Sequence, residues 1–189
     1  MSPFILAMTP FSPEMDLGKA YNTAMALLPE DGWAVFMDHD IMFTTVNWYA
    51  QVAEAITRHP TGTFTGVTNR IWNRWQQAAE TVRLPDDVAV HRKAGEARVA
   101  NQTIADVTDQ RPGWGGMLII ISKETWHFAG GFREGGMGCV DHLIHQAVAA
   151  SGRRVYVIHG LYVYHWRGLS HGIPTSARPI VYGCCHPRP

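Results

Sequence analysis

Two aspartates one residue apart, in Asp38-His39-Asp40, follow the apolar run Trp33–Met37. The composition of that run predicts a buried strand, which puts the carboxylates at its carboxyl end, where open α/β sheets bind ligands. Paired carboxylates there can hold a hard divalent cation against a diphosphate, and oxygen ligands suit Mg2+ or Mn2+. The plainer reading is an acidic turn capping the next helix, because the triplet alone is weakly diagnostic. His165 ends the last apolar strand, in Tyr164-His165-Trp166-Arg167. An imidazole there can complete a metal site from the far side, against the plain alternative of a histidine with no ligand role.

Asp141 opens the helical run Val140–Ala150, behind a turn rich in glycine (Gly135, Gly136, Gly138). A helix N-terminus favours the ionised carboxylate, as a general base requires at neutral pH. The competing reading is an ordinary capping aspartate. His142 and His145 lie on the same helix, and Asp141 and His145, four residues apart, can face one pocket. Gly113-Trp114-Gly115-Gly116 precedes the most apolar run of the chain, Met117–Ile121. Its glycines let a ligand approach the backbone closely, and Trp114 either stacks on a sugar or packs.

These residues need elements to carry them. Phe4–Met8 reads as a short buried strand, and Leu17–Leu28 as a helix with Asp16 as its cap and Pro29 beyond it. Trp33–Met37 is the second strand. Trp48–Thr57 is a helix with Asn47 as its expected cap, and Thr63–Val67 is a third strand. Alternation of strand and helix predicts an α/β domain built on a parallel sheet. Ile71–Pro112 is expected to be a partly helical insertion over the site: Trp72, Trp75, Ala79 and Val82 fit helical spacing, while Val88–Val99 is polar and basic. Met117–Ile121 is a strand, followed by helices over Lys123–Phe128 and Val140–Ala150 and strands over Val155–Ile158 and Leu161–Tyr164. Beyond Arg167 the chain is rich in proline. The expected organisation is one domain over residues 1–170 and a tail over 171–189.

Composition narrows the function. The chain has 189 residues, 46% of them hydrophobic, enough for a packed core. Sixteen basic and sixteen acidic side chains leave no net charge, so a binder that neutralises nucleic-acid phosphates is not expected. No apolar run reaches the ~18 residues that span a bilayer, and Met1–Phe11 lacks the pattern of a signal peptide, so a soluble, cytoplasmic protein is expected. Cys139, Cys184 and Cys185 are too few for a disulfide framework, an odd count fits a reducing compartment, and Cys184-Cys185-His186 lacks zinc-site spacing.

Taken in order, several segments resemble GT-A glycosyltransferases, most nearly the family-2-like enzymes. Gly18-Lys19-Ala20-Tyr21-Asn22 resembles the family's Gly–Ala–Arg–Asn helix, and Val35-Phe36-Met37-Asp38-His39-Asp40 its strand ending in the DxD motif. Gly115-Gly116-Met117-Leu118-Ile119 and Phe128-Ala129-Gly130-Gly131-Phe132 resemble its acceptor-side strand and the turn after it. Cys139-Val140-Asp141 stands where the family has Glu-Asp, and Tyr164-His165 where it has a late metal-binding histidine. Three departures accompany these matches, the first being Val140 in place of the glutamate of the Glu-Asp pair. Tyr21 replaces the arginine of the helix motif, and Phe4–Phe11 runs almost directly into that helix, without the family's second nucleotide strand.

The resemblance implies a GT-A-like, Rossmann-related domain with a mostly parallel sheet and a shortened nucleotide half, of a minimal, viral or phage type. It implies an inverting transfer of a sugar from a nucleotide diphosphate, most simply UDP, to a hydroxyl on a glycan or other small molecule. Asp38, Asp40 and His165 would hold Mn2+ or Mg2+, Thr9, Pro10 and Asp38 would contact the donor, and Trp114, Gly115 and Gly116 would shape the sugar pocket. Asp141 would be the base. A metal-dependent hydrolase or phosphoesterase using the same residues, and a non-catalytic sugar- or nucleotide-binding module, are the rivals.

Overall fold

The computed structural model describes residues 3–111 and 113–166. Seven strands among these residues form one sheet: β1 (Phe4–Met8), β2 (Gly32–Met37), β3 (Ile41–Phe43), β4 (Thr63–Thr68), β5 (Ile104–Asp106), β6 (Leu118–Ser122) and β7 (Val155–His165). Their spatial order is β1-β2-β6-β4-β7-β3, and β5 also pairs with β7. Four strands, β1, β2, β4 and β7, share one direction, while β3, β5 and β6 run against them. The central strands β2, β4 and β6 are apolar or small at every position and are buried almost throughout, as strands covered on both faces must be.

Side-chain alternation along those strands divides the core in two. Phe36, Ile119 and Ile121 face one side, where they meet Tyr21 and Met25 of helix α1 (Leu17–Ala26) and Ile144 and Val148 of helix α5 (Val140–Ala150). Val35, Leu118 and Ile120 face the other and meet Val52, Ala55 and Ile56 of helix α2 (Trp48–Arg58). Asp16 caps α1 by accepting from the Lys19 amide, as expected. Its second oxygen accepts from the Gly135 amide at 2.8 Å, which ties the start of α1 to the turn before α5. Asn22 makes a second tie. Its Oδ1 accepts from Trp126 Nε1 and the Phe132 amide, and its Nδ2 donates to the Phe132 carbonyl and Glu134 Oε1.

The structure revises several local expectations. Residues 155–165 form one eleven-residue strand rather than two. Gly160 does not end a strand: a Cβ there would lie 2.4 Å from the Asn101 carbonyl, so the glycine admits a neighbouring loop. The segment after β4 holds two 3₁₀ turns, Arg74–Gln76 and Ala79–Thr81, where Trp72, Trp75, Ala79 and Val82 suggest an α-helix. The polar stretch that follows is helix α3 (Val88–Arg98), capped by Asp87. The remaining helix, α4 (Lys123–Phe128), starts and ends where its sequence predicts. Asn47 makes no side-chain cap on α2. Cys139 is disulfide-bonded, against the expectation of reduced thiols. The expected tail over 171–189 lies outside the described residues.

Candidate active site

The chemistry-bearing residues gather at the carboxyl ends of β2, β4 and β7. Asp38 follows β2, and its amide donates to the Met117 carbonyl at 3.0 Å, adding one rung to the β2–β6 ladder. The chain then turns back so that β3 pairs with the end of β7, Ile41 opposite His165. The Trp166 amide donates to the Asp40 carbonyl at 2.9 Å. This antiparallel pairing brings His165 beside Asp40 across a long sequence gap. Ligand atoms of Asp38, Asp40 and His165 all lie within 4.8 Å of one another. His39, between the two aspartates, is exposed.

The electrostatics of this group are those of an incomplete site. Asp40 has only 7% of its surface exposed, and its Oδ2 is buried without a hydrogen-bond partner. A buried carboxylate oxygen left unmatched is costly. Asp38 is pushed up to about 7, first by burial and then by the charges of Asp40 and Asp141. His165 Nδ1 lies 2.8 Å from the Arg70 carbonyl, which can only accept, so Nδ1 carries the proton. The other nitrogen, Nε2, faces Asp40 Oδ1 at 3.4 Å. Orienting a ligand imidazole through its far N–H is the usual support of a metal-binding histidine. Two carboxylates and one imidazole, with an orphaned buried oxygen among them, fit a divalent cation of the Mn2+ or Mg2+ type.

Asp141 stands opposite, in the first turn of α5. Its Oδ2 accepts from the Gly116 amide and its Oδ1 from the His142 amide, each at 2.8 Å. Burial raises its pKa, and these two amides oppose that shift. A basic carboxylate held in one orientation is what proton abstraction needs. Tyr21 lies below, stacked on Phe36 at 4.5 Å between centroids. Burial, followed by the charges of Asp38 and Asp141, raises its phenol and keeps it neutral. Tyr21 thus stays an uncharged neighbour of Asp38 and Asp141.

Other expected site residues take different places. Thr9 is exposed and Pro10 half-buried, just after β1. Trp114 is fully buried, with its Nε1 donating to the Asp141 carbonyl at 2.8 Å. Its ring offers no open face to a sugar, so it braces α5 from within the core. Both backbone groups of Gly115 are bonded to the Gln76 amide. Of the glycine pair, only Gly116 reaches a site side chain, through Asp141. His145 is no pocket base: Nδ1 accepts from the Trp114 amide and Nε2 donates to the Thr108 carbonyl. His142 is likewise occupied, by the Gly113 amide and Gln146.

Sequence reading missed three supporting residues. Asn69, 1% exposed, accepts from the His165 amide at 2.9 Å, Arg70 holds the His165 ring, and Gln76 fixes Gly115. The available signal was position: Asn69-Arg70 directly follows a wholly buried strand at the ligand-binding edge.

No protein-family model matches the sequence, and no curated protein matches it. Among solved structures the likeness is one of fold: a GT-A-like, single Rossmann-related α/β domain. One solved structure with this likeness is the crystal structure of GalNAc-T7 with UDP, GalNAc and Mn2+, at a TM-score of 0.54 and 14% identity over 82% of this chain. The chain spans 31% of the length of that neighbour.

Proposed function

We propose that this protein is a metal-dependent glycosyltransferase of family-2-like type. It would move a sugar from a nucleotide diphosphate, UDP in the simplest case, to an acceptor hydroxyl with inversion. The observation that carries this reading is the Asp38–Asp40–His165 cluster, with its unmatched Asp40 oxygen, at the strand ends that face Asp141. The GT-A-like fold and a structural neighbour solved with UDP and Mn2+ support it.

Asp38, Asp40 and His165 would hold the cation. When bound, a divalent cation neutralises charge on the departing diphosphate. Asp141 removes the acceptor proton as the acceptor oxygen attacks the anomeric carbon from the face opposite the diphosphate. The anomeric carbon–oxygen bond then breaks, and its electron pair leaves with the diphosphate. Gly116 and His142 amides hold the Asp141 carboxylate in place during this transfer. The donor diphosphate lies toward Thr9 and Pro10.

The test is product analysis with UDP-sugars and Mn2+, with and without hydroxyl acceptors. Glycosylated acceptor is expected, together with loss of turnover in excess EDTA. Full turnover in EDTA would sink the metal assignment. Free sugar released at an equal rate without acceptor would mark a hydrolase instead, and donor binding without any turnover a binding module.

A further inference from the structure

With Trp114 sealed in the core, the aromatic available to a ligand beside Gly115 is Trp72. It is 48% exposed, so part of its ring can be reached from solvent. Its placement is fixed from both sides. Two residues earlier, Arg70 holds the His165 ring through its carbonyl, while its guanidinium is pinned by Asp86 at 2.6 Å. One residue later, buried Asn73 donates to the Gly113 carbonyl at 2.8 Å. A Cβ on Gly115 would lie 2.4 Å from Ile71 Cδ1 and 3.5 Å from Trp72 Nε1, so the indole edge sits against the Gly115 backbone. A Cβ on Gly116 would instead meet Asp141, at 2.6 Å. The indole and the base thus flank the same two-residue segment, and residues 69–72 connect that segment to the metal ligands.

We infer that Trp72 is the platform on which the donor's pyranose ring rests, and so a specificity-determining residue of the transfer. The inference rests on the glycosyltransferase reading above. Pyranose rings present a face of C–H groups between polar rims. A half-exposed indole offers such a face an apolar, electron-rich surface. The nucleotide and its diphosphate need not touch the ring, so Trp72 should affect sugar recognition and leave nucleotide recognition alone.

Calorimetry with UDP, UDP-glucose and UDP-GalNAc in saturating Mn2+ tests this on wild type, Trp72→Leu and Trp72→Phe. Leucine keeps bulk against Gly115 but removes the aromatic face, and a melting curve for each variant checks the fold. Wild type should bind at least one sugar nucleotide more tightly than UDP. Trp72→Leu should lose about threefold to tenfold of that extra affinity, the scale of an aromatic contact, with UDP affinity unchanged. Trp72→Phe should recover most of the loss. Equal affinity of wild type for UDP and the sugar nucleotides, or full retention by Trp72→Leu, overturns the platform while leaving the function standing. An equal loss for UDP and UDP-sugars also overturns it, as a purely structural effect. Failure of wild type to bind UDP with Mn2+ removes the glycosyltransferase reading and the platform with it.

Discussion

The Asp38–Asp40–His165 side and the Asp141 side of the candidate site are built on opposite principles. Around Asp141 every carboxylate oxygen already has a backbone donor, and the Asp141 carbonyl is bonded to buried Trp114. Around Asp40 one oxygen is buried and unmatched, and the neighbouring Asp38 is raised toward neutrality by burial and then by the carboxylates around it. The Asp141 carboxylate is fully bonded within the folded chain, whereas on the function proposed above a cation would match the Asp40 oxygen. Substitutions on the first should therefore change chemistry with little effect on donor binding, and those on the second should change binding itself.

The largest expected effect is on the Asp40 side. Asp40→Ala should lower transfer by about 10³-fold, the scale of several kcal/mol of lost charge stabilisation. Mn2+ titration should show no site, and a cooperative melt should persist. On the Asp141 side, Asp141→Asn keeps shape and removes the basic lone pair. Transfer should fall by ~10²-fold with donor Kd unchanged. Matching losses of donor affinity in both variants would erase the contrast, and wild-type turnover in Asp141→Asn would make that aspartate a structural residue only.

The contrast also has a pH signature. Without metal, Asp38 titrates near 7 in the folded chain against an ordinary 3.8. Between those values the folded state holds a proton that the unfolded state has released. The contribution of Asp38 to stability is therefore full below about 4 and is lost as pH rises through about 7. Melting in EDTA should show that decline, and Mn2+ should reverse it most at the high end, because deprotonated Asp38 is the ligand form. Below pH 7, Mn2+ affinity should fall by about tenfold per unit. A pH-independent affinity would remove Asp38 from the ligand set. The smallest effect expected is from Asp16→Ala, which loosens the α1 cap and its tie to Gly135. Stability should drop slightly in a denaturant titration, as when a helix cap is lost, with Mn2+ affinity unchanged.

Asp38, Asp40, Asp141 and His165 were legible in the sequence because each stands where an apolar run or a glycine-rich turn ends, and element ends are where α/β sheets keep their chemistry. Trp114 was misread because flanking glycines describe a flexible backbone and not the burial of the ring between them. That burial comes from Asp141 and His145, both on α5. The split of 155–165 into two strands failed for a similar reason, since the loop that Gly160 admits belongs to the distant Asn101. Strand β3 has three residues and exists through its pairing with β7, so no local pattern announces it. Asn69 and Gln76 act through partners far along the chain, which single-sequence spacing does not reveal.

The four hydrogen bonds of Asn22 have a consequence for local opening. The Phe132 amide is protected by a side chain on α1, not by a strand or helix of its own. Its exchange with deuterated solvent therefore reports whether α1 is seated on the turn that leads to Asp141. Exchange at Phe132 should follow the opening of α1 rather than global unfolding. A single amide thus gives a timer for how often the Asp141 end of the molecule comes loose.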